Sequence, residues 1–359
     1  MKVLIVGPFP PVINGVTVCN DYLKKKLSEK YLVETINTDS GIISTNQGDS
    51  LSFKKVFSFI QIYFLLFKVI RTNVVYFTPG QTFWGLAKYL PFSLVCICFG
   101  KKYILHLHGG YTAKAYGNLR GIKKYIFKSI ILNASSVICL SESLAREMKS
   151  KLLQAKVDVV ENFFDPALIE NIPLIQKTSH LRIVYLSNLM KEKGIIELLE
   201  ASILLYNRGV NFELHIAGKL EQEISSEVYF RIEQLGEKVK YYGNLNLERK
   251  KELLLKTNVF VLPTYYTMEG QPISIIEAYV TNHIVITTDQ GGIMDIAGYP
   301  SVILVNKKDA NDLAEKLMFV EKNLEELLKK ADQTRMDSQI RFDSKRFVAE
   351  IESIMLKYK

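Results

Sequence analysis

Short apolar runs rich in β-branched residues recur at residues 3–6, 33–36, 74–77, 103–107, 137–140 and 157–160, and longer segments of helical period separate them. Runs of this length, alternating with helices, predict parallel strands in βα units. A second series follows at residues 183–186, 212–217, 239–242, 259–262, 284–287 and 302–305. Two series predict two sheets and therefore two domains. Residues 162–180 lie between them, carry Pro166 and Pro173 and show little periodicity, which places the linker there and a hinge near residue 175. Beyond the second series come a polar helical region at 310–341 and an amphipathic segment at 344–357 with apolar Phe347, Ile351, Ile354 and Met355. No tandem repeat or low-complexity tract is present.

The length agrees with that division, since 359 residues suit two cores better than one. Apolar residues at 48% and charged residues at 23% exclude a disordered or fibrous chain. The net charge of +9 is unevenly spread: residues 1–179 hold 22 Lys and Arg against 11 acids, and the remainder 24 against 26. A basic first half suits acidic lipid or another polyanion, or is simply a solvated surface. Residues 1–6 run straight into Gly7 and Pro8 without the basic and apolar regions of a signal peptide, so a cytoplasmic location is expected. The apolar stretch 56–70 contains Ser58, Gln61 and Lys68 and is too short to span a bilayer, so a packed helix is expected. Cys19, Cys96, Cys98 and Cys139 lack zinc-ligand spacing and read as buried, reduced thiols.

The most informative stretch is residues 269–278, which follow the predicted strand 259–262 and a turn. Pro272 suits a first helical turn, so a helix is expected to start near Gly270, at the carboxyl end of a parallel strand. Its N–H groups and positive dipole end would suit a pyrophosphate. Glu269 would precede the helix and Glu277 lie about two turns inside it, roughly 10 Å away. Two such carboxylates could bracket a nucleotide sugar, although a Glu at a helix end and another on its face are also common as plain structure.

Glu269, Gly270, Pro272, Glu277 and Ala278 match the signature of the retaining glycosyltransferases of glycosyltransferase family 4, also called glycosyl transferases group 1, and the resemblance runs along almost the whole chain. It implies the GT-B fold: two Rossmann-like parallel-sheet domains facing each other across a cleft, with a C-terminal helix crossing back. In these terms residues 1–175 are the acceptor-binding domain, 176–341 the nucleotide-sugar-binding domain and 342–359 the returning helix. Three further stretches resemble the family. Gly7 through Gly15 is similar to its glycine loop, with Asn14 where a second Gly is usual. His108-Gly109 matches its His-Gly, which implies that His108 donates to a donor-sugar hydroxyl, while His106 is assigned to the opposite face or layer as a structural residue. Lys193-Gly194 matches its Lys-Gly, and Asn188 stands where the family has Arg, which removes one charge from the usual diphosphate clamp. Asp289 through Gly292 resembles its Gly-Gly turn, with Asp295 in place of Glu, and Asn162 and Asp165 match its Asn-Gly-Val-Asp or simply form Asx turns.

The resemblance implies a hexosyltransferase that retains anomeric configuration and works on bacterial surface polysaccharide. Glu269, His108 and Lys193 are the implied catalytic residues, and Gly15, Asn188, Lys193, Gly270, Gln271, Pro272, Ile273 and Glu277 the implied donor-binding set. The implied donor is a nucleotide sugar, UDP ahead of GDP, and the acceptor a glycan or lipid-linked glycan. No cofactor is expected, and with no Asp-x-Asp at a strand end no metal either. An inactive or partner-dependent relative is the alternative that Asn188 motivates. A nucleic-acid binder lacks zinc-finger, helix-turn-helix or ribonucleoprotein motifs. An anionic membrane surface on the cytoplasmic side is a further expected partner. Lys114, Arg120, Lys123, Lys124 and Lys128 interleave with Tyr116, Tyr125, Ile126, Phe127 and Ile130, as in a basic interfacial helix or a solvated face.

Overall fold

The computed structural model describes residues 1–11, 14–39, 62–170 and 180–358. Every apolar run forms a strand: β1 (Lys2–Gly7), β2 (Leu32–Asn37), β3 (Val74–Phe77), β4 (Lys102–Leu107), β5 (Ser136–Cys139) and β6 (Val157–Val159), then β7 (Leu181–Leu186), β8 (Phe212–Ala217), β9 (Val239–Tyr241), β10 (Val259–Leu262), β11 (Ile284–Thr287) and β12 (Val302–Leu304). Among the described residues they make two six-stranded sheets, ordered β2-β1-β3-β4-β5-β6 and β12-β11-β10-β7-β8-β9, and every pairing is parallel. Parallel strands need crossovers, and the crossover helices cover both faces. Central strands are therefore mostly apolar; Val3, Leu4, Ile5 and Val6 are all fully buried. Both units are Rossmann-like. The strand order reverses between β1 and β3 in the first sheet and between β7 and β10 in the second, the points where such sheets open a crevice at their carboxyl edge.

The compact units are 1–161 with 345–359, and 162–344. The division falls at Glu161 and Asn162, ahead of the expected hinge near 175, because Asn162 is already bound to Gln271, and Phe164 and Leu168 are buried in the second core. Asp165 forms the Asx turn, accepting from the Ala167 N–H at 3.0 Å. The last helix, Ser344–Leu356, belongs to the first unit and buries Phe347, Ile351, Ile354 and Met355. Tyr31 donates to Glu352 at 2.6 Å, Lys30 pairs with the same carboxylate at 2.9 Å, and Phe347 packs 6.1 Å from the His106 ring.

Other expectations need correction. Cys98 is exposed, while Cys19, Cys96 and Cys139 are buried and burial pushes each thiol up to about 12. Of the packed helix expected at 56–70, residues 56–61 lie outside the described residues, and 64–70 form a short helical segment exposing Phe64, Phe67 and Ile70. The basic stretch 114–130 is two helices, Thr112–Asn118 and Gly121–Leu132, and Tyr116, Phe127 and Ile130 point into the core. Helical period puts Ile122 and Tyr125 outside instead. Among the described residues no helix is long and apolar enough to cross a membrane.

Phe347 tests the attachment of the last helix. Phe347→Ala should cost about 3–5 kcal/mol, the usual penalty for emptying a buried aromatic site. Urea unfolding followed by Trp84, the single tryptophan, reads the first unit; an unchanged midpoint would show that the helix adds nothing to that core.

Candidate functional site

The loops after β7, β10 and β11 emerge at one edge of the second sheet and are bound to one another. Tyr265 N–H donates to the Glu192 carbonyl at 2.8 Å, Thr288 donates to the Thr264 carbonyl, and Gly292 N–H donates to the Gly270 carbonyl at 2.9 Å. Gln290 adds a bond to the Tyr266 carbonyl at 3.0 Å. Two glycines permit this closeness. Gly194 has φ of 77° and a Cβ there would meet the Pro263 carbonyl at 2.3 Å; Gly291 has φ of 57° and a Cβ there would meet the Glu269 carbonyl at 2.1 Å. Side chains are excluded by both space and backbone conformation.

Glu269 lies at the centre of these loops, with only 8% of its side chain exposed. Its Oε2 accepts from Lys193 Nζ at 2.6 Å and from Thr264 Oγ1 at 3.1 Å. The Lys193 ammonium also lies 5.1 Å from the centre of the Tyr266 ring, a cation–π distance. Glu269 and Lys193, both singled out in the sequence, lie together, whereas Thr264 and Tyr266, whose spacing carries no distinguishing signal, were not singled out.

The helix after β10 is Ile273–Val280, three residues later than expected. Pro272 is its N-cap, with ψ of 120°, because Gly270 is held by Gly292 and Gln271 by Asn162 in non-helical conformations. Gln271 is buried and accepts twice from Asn162, at 2.6 Å through its side chain and 2.7 Å through its carbonyl. Ile273 begins the helix, whose first bonds run from the Ile275 and Ile276 N–H groups to the Pro272 carbonyl at 3.2 and 3.5 Å, so the Ile273 and Ser274 N–H groups precede the ladder. Glu277 is buried two-thirds of the way along and takes the ammonium of Lys250, from helix Leu247–Lys256, through Oε1. Lys250 lies one crossover earlier in the chain, so no local motif announces it. Asn188, at the end of β7, is exposed, and its carbonyl accepts from the Tyr185 hydroxyl at 3.1 Å. Asp289 pairs with Lys307 at 2.8 Å, which lowers its pKa, and the Asp295 carbonyl accepts from Arg341 at 2.9 Å.

Gly15 and His108 belong to the first unit. Gly15 opens helix Gly15–Ser28, and Asn14 caps it, accepting from Val16 and Thr17 N–H at 3.0 Å each. Asn14 thus occupies N–H groups that a glycine would leave open. His108 directly follows β4, and its ring lies 4.0 Å from that of His106. Assigning His106 to the opposite face is wrong, because residues two apart on a strand share a face. Tyr76 bonds Nδ1 of His106. Burial, reinforced by His108, puts His106 well below the usual imidazole range, and burial lowers His108 to about 3.

Residues 172–336 match the family Glycosyl transferases group 1. The chain is 26% identical over 267 residues to the capsular polysaccharide biosynthesis glycosyltransferase CapM of Staphylococcus aureus, and 29% identical over 225 residues to the putative teichuronic acid biosynthesis glycosyltransferase TuaC of Bacillus subtilis. These alignments cover 66% and 59% of this chain, and it spans 66% and 53% of the relatives' own lengths. Among solved structures it resembles sucrose-phosphate synthase from Thermosynechococcus elongatus, with a TM-score of 0.77 at 15% identity over 99% of both chains. Anabaena HepE in complex with UDP is similar at a TM-score of 0.74 and 15% identity, covering 99% of this chain and 100% of that one.

Buried His106 and His283 and half-buried His108 give a pH dependence. His106, His108 and His283, the last lowered to about 4, stay neutral in the folded protein while the unfolded chain takes up protons near pH 6.5. Their stabilisation is complete above about pH 6.5 and is lost as pH falls, by up to about 1.4 kcal/mol per pH unit per histidine. The Trp84-detected urea midpoint of the first unit should therefore drop between pH 7 and pH 5, and His108→Gln should flatten the drop. A midpoint independent of pH over that interval would contradict neutral burial.

Proposed function

We propose that this chain is a retaining glycosyltransferase that moves a sugar from a nucleotide-sugar donor to a glycan or lipid-linked glycan acceptor. The observation that carries the reading is the Lys193–Glu269–Thr264 cluster beside the start of helix Ile273–Val280, at the switch point of a parallel sheet. A diphosphate at that helix end would meet the N–H groups of Ile273 and Ser274 and the Lys193 ammonium, and would compete with Glu269 for the lysine. The helix dipole and the lysine supply positive charge to the leaving group, in the role a divalent metal plays elsewhere. UDP is the preferred nucleotide, a reading supported by the UDP complex of a protein with the same fold. Surface polysaccharide as the product class is supported by the capsular and teichuronic acid relatives.

As the bond from the anomeric carbon to the diphosphate breaks, its electron pair goes to the leaving oxygen and positive charge develops on the sugar. The acceptor hydroxyl attacks from the same face and its proton passes to the departing phosphate oxygen, which retains configuration without a covalent nucleophile. Glu269, released from Lys193, accepts from sugar hydroxyls and stabilises the developing cation. Glu277 accepts from ribose hydroxyls while Lys250 holds its other contact. His108, neutral at working pH, donates to a sugar hydroxyl.

Incubation with a panel of UDP- and GDP-sugars tests the class. Transfer or slow donor hydrolysis is expected, unaffected by EDTA; nucleotide binding without either would identify a non-catalytic relative. Glu277→Ala should weaken donor binding by about tenfold or more, the loss of a hydrogen bond to a charged group, whereas Glu269→Ala should chiefly lower kcat. Lys193→Ala should lower turnover more than affinity, by about 10²–10³. Unchanged turnover in Lys193→Ala would remove the lysine from the leaving-group site, and a folded but inactive Asn188→Arg would show that the site is built around Asn188.

A further inference from the structure

The Lys193 ammonium has two neighbours of different kinds in the loops of the second sheet. Glu269 Oε2 takes it at 2.6 Å, and the centre of the Tyr266 ring lies 5.1 Å from it. Both neighbours come from the turn after β10, and that turn is bound to itself. The Tyr266 carbonyl accepts from the Glu269 N–H and from Gln290 Nε2, each at 3.0 Å, and the Tyr266 N–H donates to Thr264 Oγ1 at 3.2 Å. The backbone beneath the ring is thus fixed without help from the lysine. The two neighbours differ in what they take from the cation. A carboxylate cancels its charge and occupies one of its three N–H donors, whereas an aromatic face attracts it through the ring quadrupole, carries no net charge and leaves the donors open. Only 15% of the Lys193 side chain is exposed, and desolvation strengthens this attraction. Burial, followed by the nearby carboxylates of Glu269, Glu192 and Glu221, raises the Tyr266 phenol above its ordinary range, so the ring stays neutral at working pH.

We infer that Tyr266 is a positioning residue for the leaving-group cation: its ring holds the Lys193 ammonium in place when Glu269 gives the lysine up to a diphosphate. The inference rests on the glycosyl-transfer reading, in which Glu269 and the diphosphate compete for that lysine. A lysine released from its carboxylate into solvent would have to be ordered again before it could act. The Tyr266 ring removes that need without neutralising the charge that must meet the phosphate oxygen as the bond to the anomeric carbon breaks. The contact between lysine and phosphate strengthens as negative charge develops, so the benefit falls on the rate more than on affinity. Other roles for Tyr266 leave different marks. A role for the hydroxyl would be lost in Tyr266→Phe, a merely structural ring would be indifferent to its electron density, and a sugar stacked on the ring would need the face that the ammonium occupies.

The full-length protein is assayed with the UDP- or GDP-sugar that it turns over. Tyr266→Phe keeps the ring and should stay near the unmodified rate. Tyr266→Leu should lower kcat by about five- to thirtyfold, the range of a desolvated cation–π contact, with KM for the donor changed much less. In a Lys193→Ala background the same substitution should add little, because the two side chains act as one unit. Phenylalanine carrying one, two and then three ring fluorines at position 266 removes the negative ring face stepwise at nearly constant size, so kcat should fall with each fluorine while the melting temperature holds. A flat rate across the fluorinated series, or an equal loss from Tyr266→Leu with and without Lys193, would overturn the inference. Should Tyr266→Leu fail to fold, the fluorinated series still decides. Normal turnover in Lys193→Ala alone would instead remove the lysine from the leaving-group site and take this inference with it, so the two failures are read apart.

Discussion

A parallel sheet cannot be closed by hairpins, and everything else in this protein depends on that constraint. Each strand must be followed by a crossover, so all strand-to-helix loops of a unit leave at one edge. Where the strand order reverses, neighbouring crossovers pass to opposite faces and the loops between them part. In the second sheet that place is between β7 and β10. Lys193 follows the first of these strands and Glu269 the second, so two residues far apart in sequence meet at 2.6 Å.

The cost of that meeting explains the surrounding detail. Two charges that are mostly removed from water are tolerable only when paired and hydrogen-bonded, and removal of one partner strands the other. Thr264 donates to the same carboxylate oxygen, and the Tyr266 ring faces the ammonium. Gly194 and Gly291 let the loops approach closely enough to hold this geometry before any ligand arrives. The same logic governs Glu277, buried on its helix and matched by Lys250. Both carboxylates are thus stored as ion pairs, and an anionic ligand would enter by exchanging partners with a lysine rather than by finding bare charge.

The two units divide the electrostatic work. The second holds 21 Lys and Arg against 26 Asp and Glu, and its loops pair Lys193 with Glu269 and Lys307 with Asp289. The first carries the chain's excess of positive charge, much of it on a helical layer without acidic residues, beside apolar groups that its core does not need.

The strands were fully legible in the sequence, because a strand covered on both faces must be a run of apolar residues and its signal is local. The last helix was legible for the same reason, since Phe347, Ile351, Ile354 and Met355 fall on one side of it. So were Glu269, Glu277 and Lys193 as residues of interest, through motif spacing. The start of the helix after β10 was misread by three residues because distant partners, Gly292 and Asn162, hold Gly270 and Gln271 out of helical conformation. The inward turn of Phe127 and Ile130 was decided by the sheet beneath them, and the pairing of Lys250 with Glu277 by the crossover that brings one helix beside another. Local pattern thus determined which segments are strands and helices. Only the tertiary structure decided which charges meet, because partner choice depends on strand order, and strand order is set by contacts between segments that carry no record of one another in the sequence.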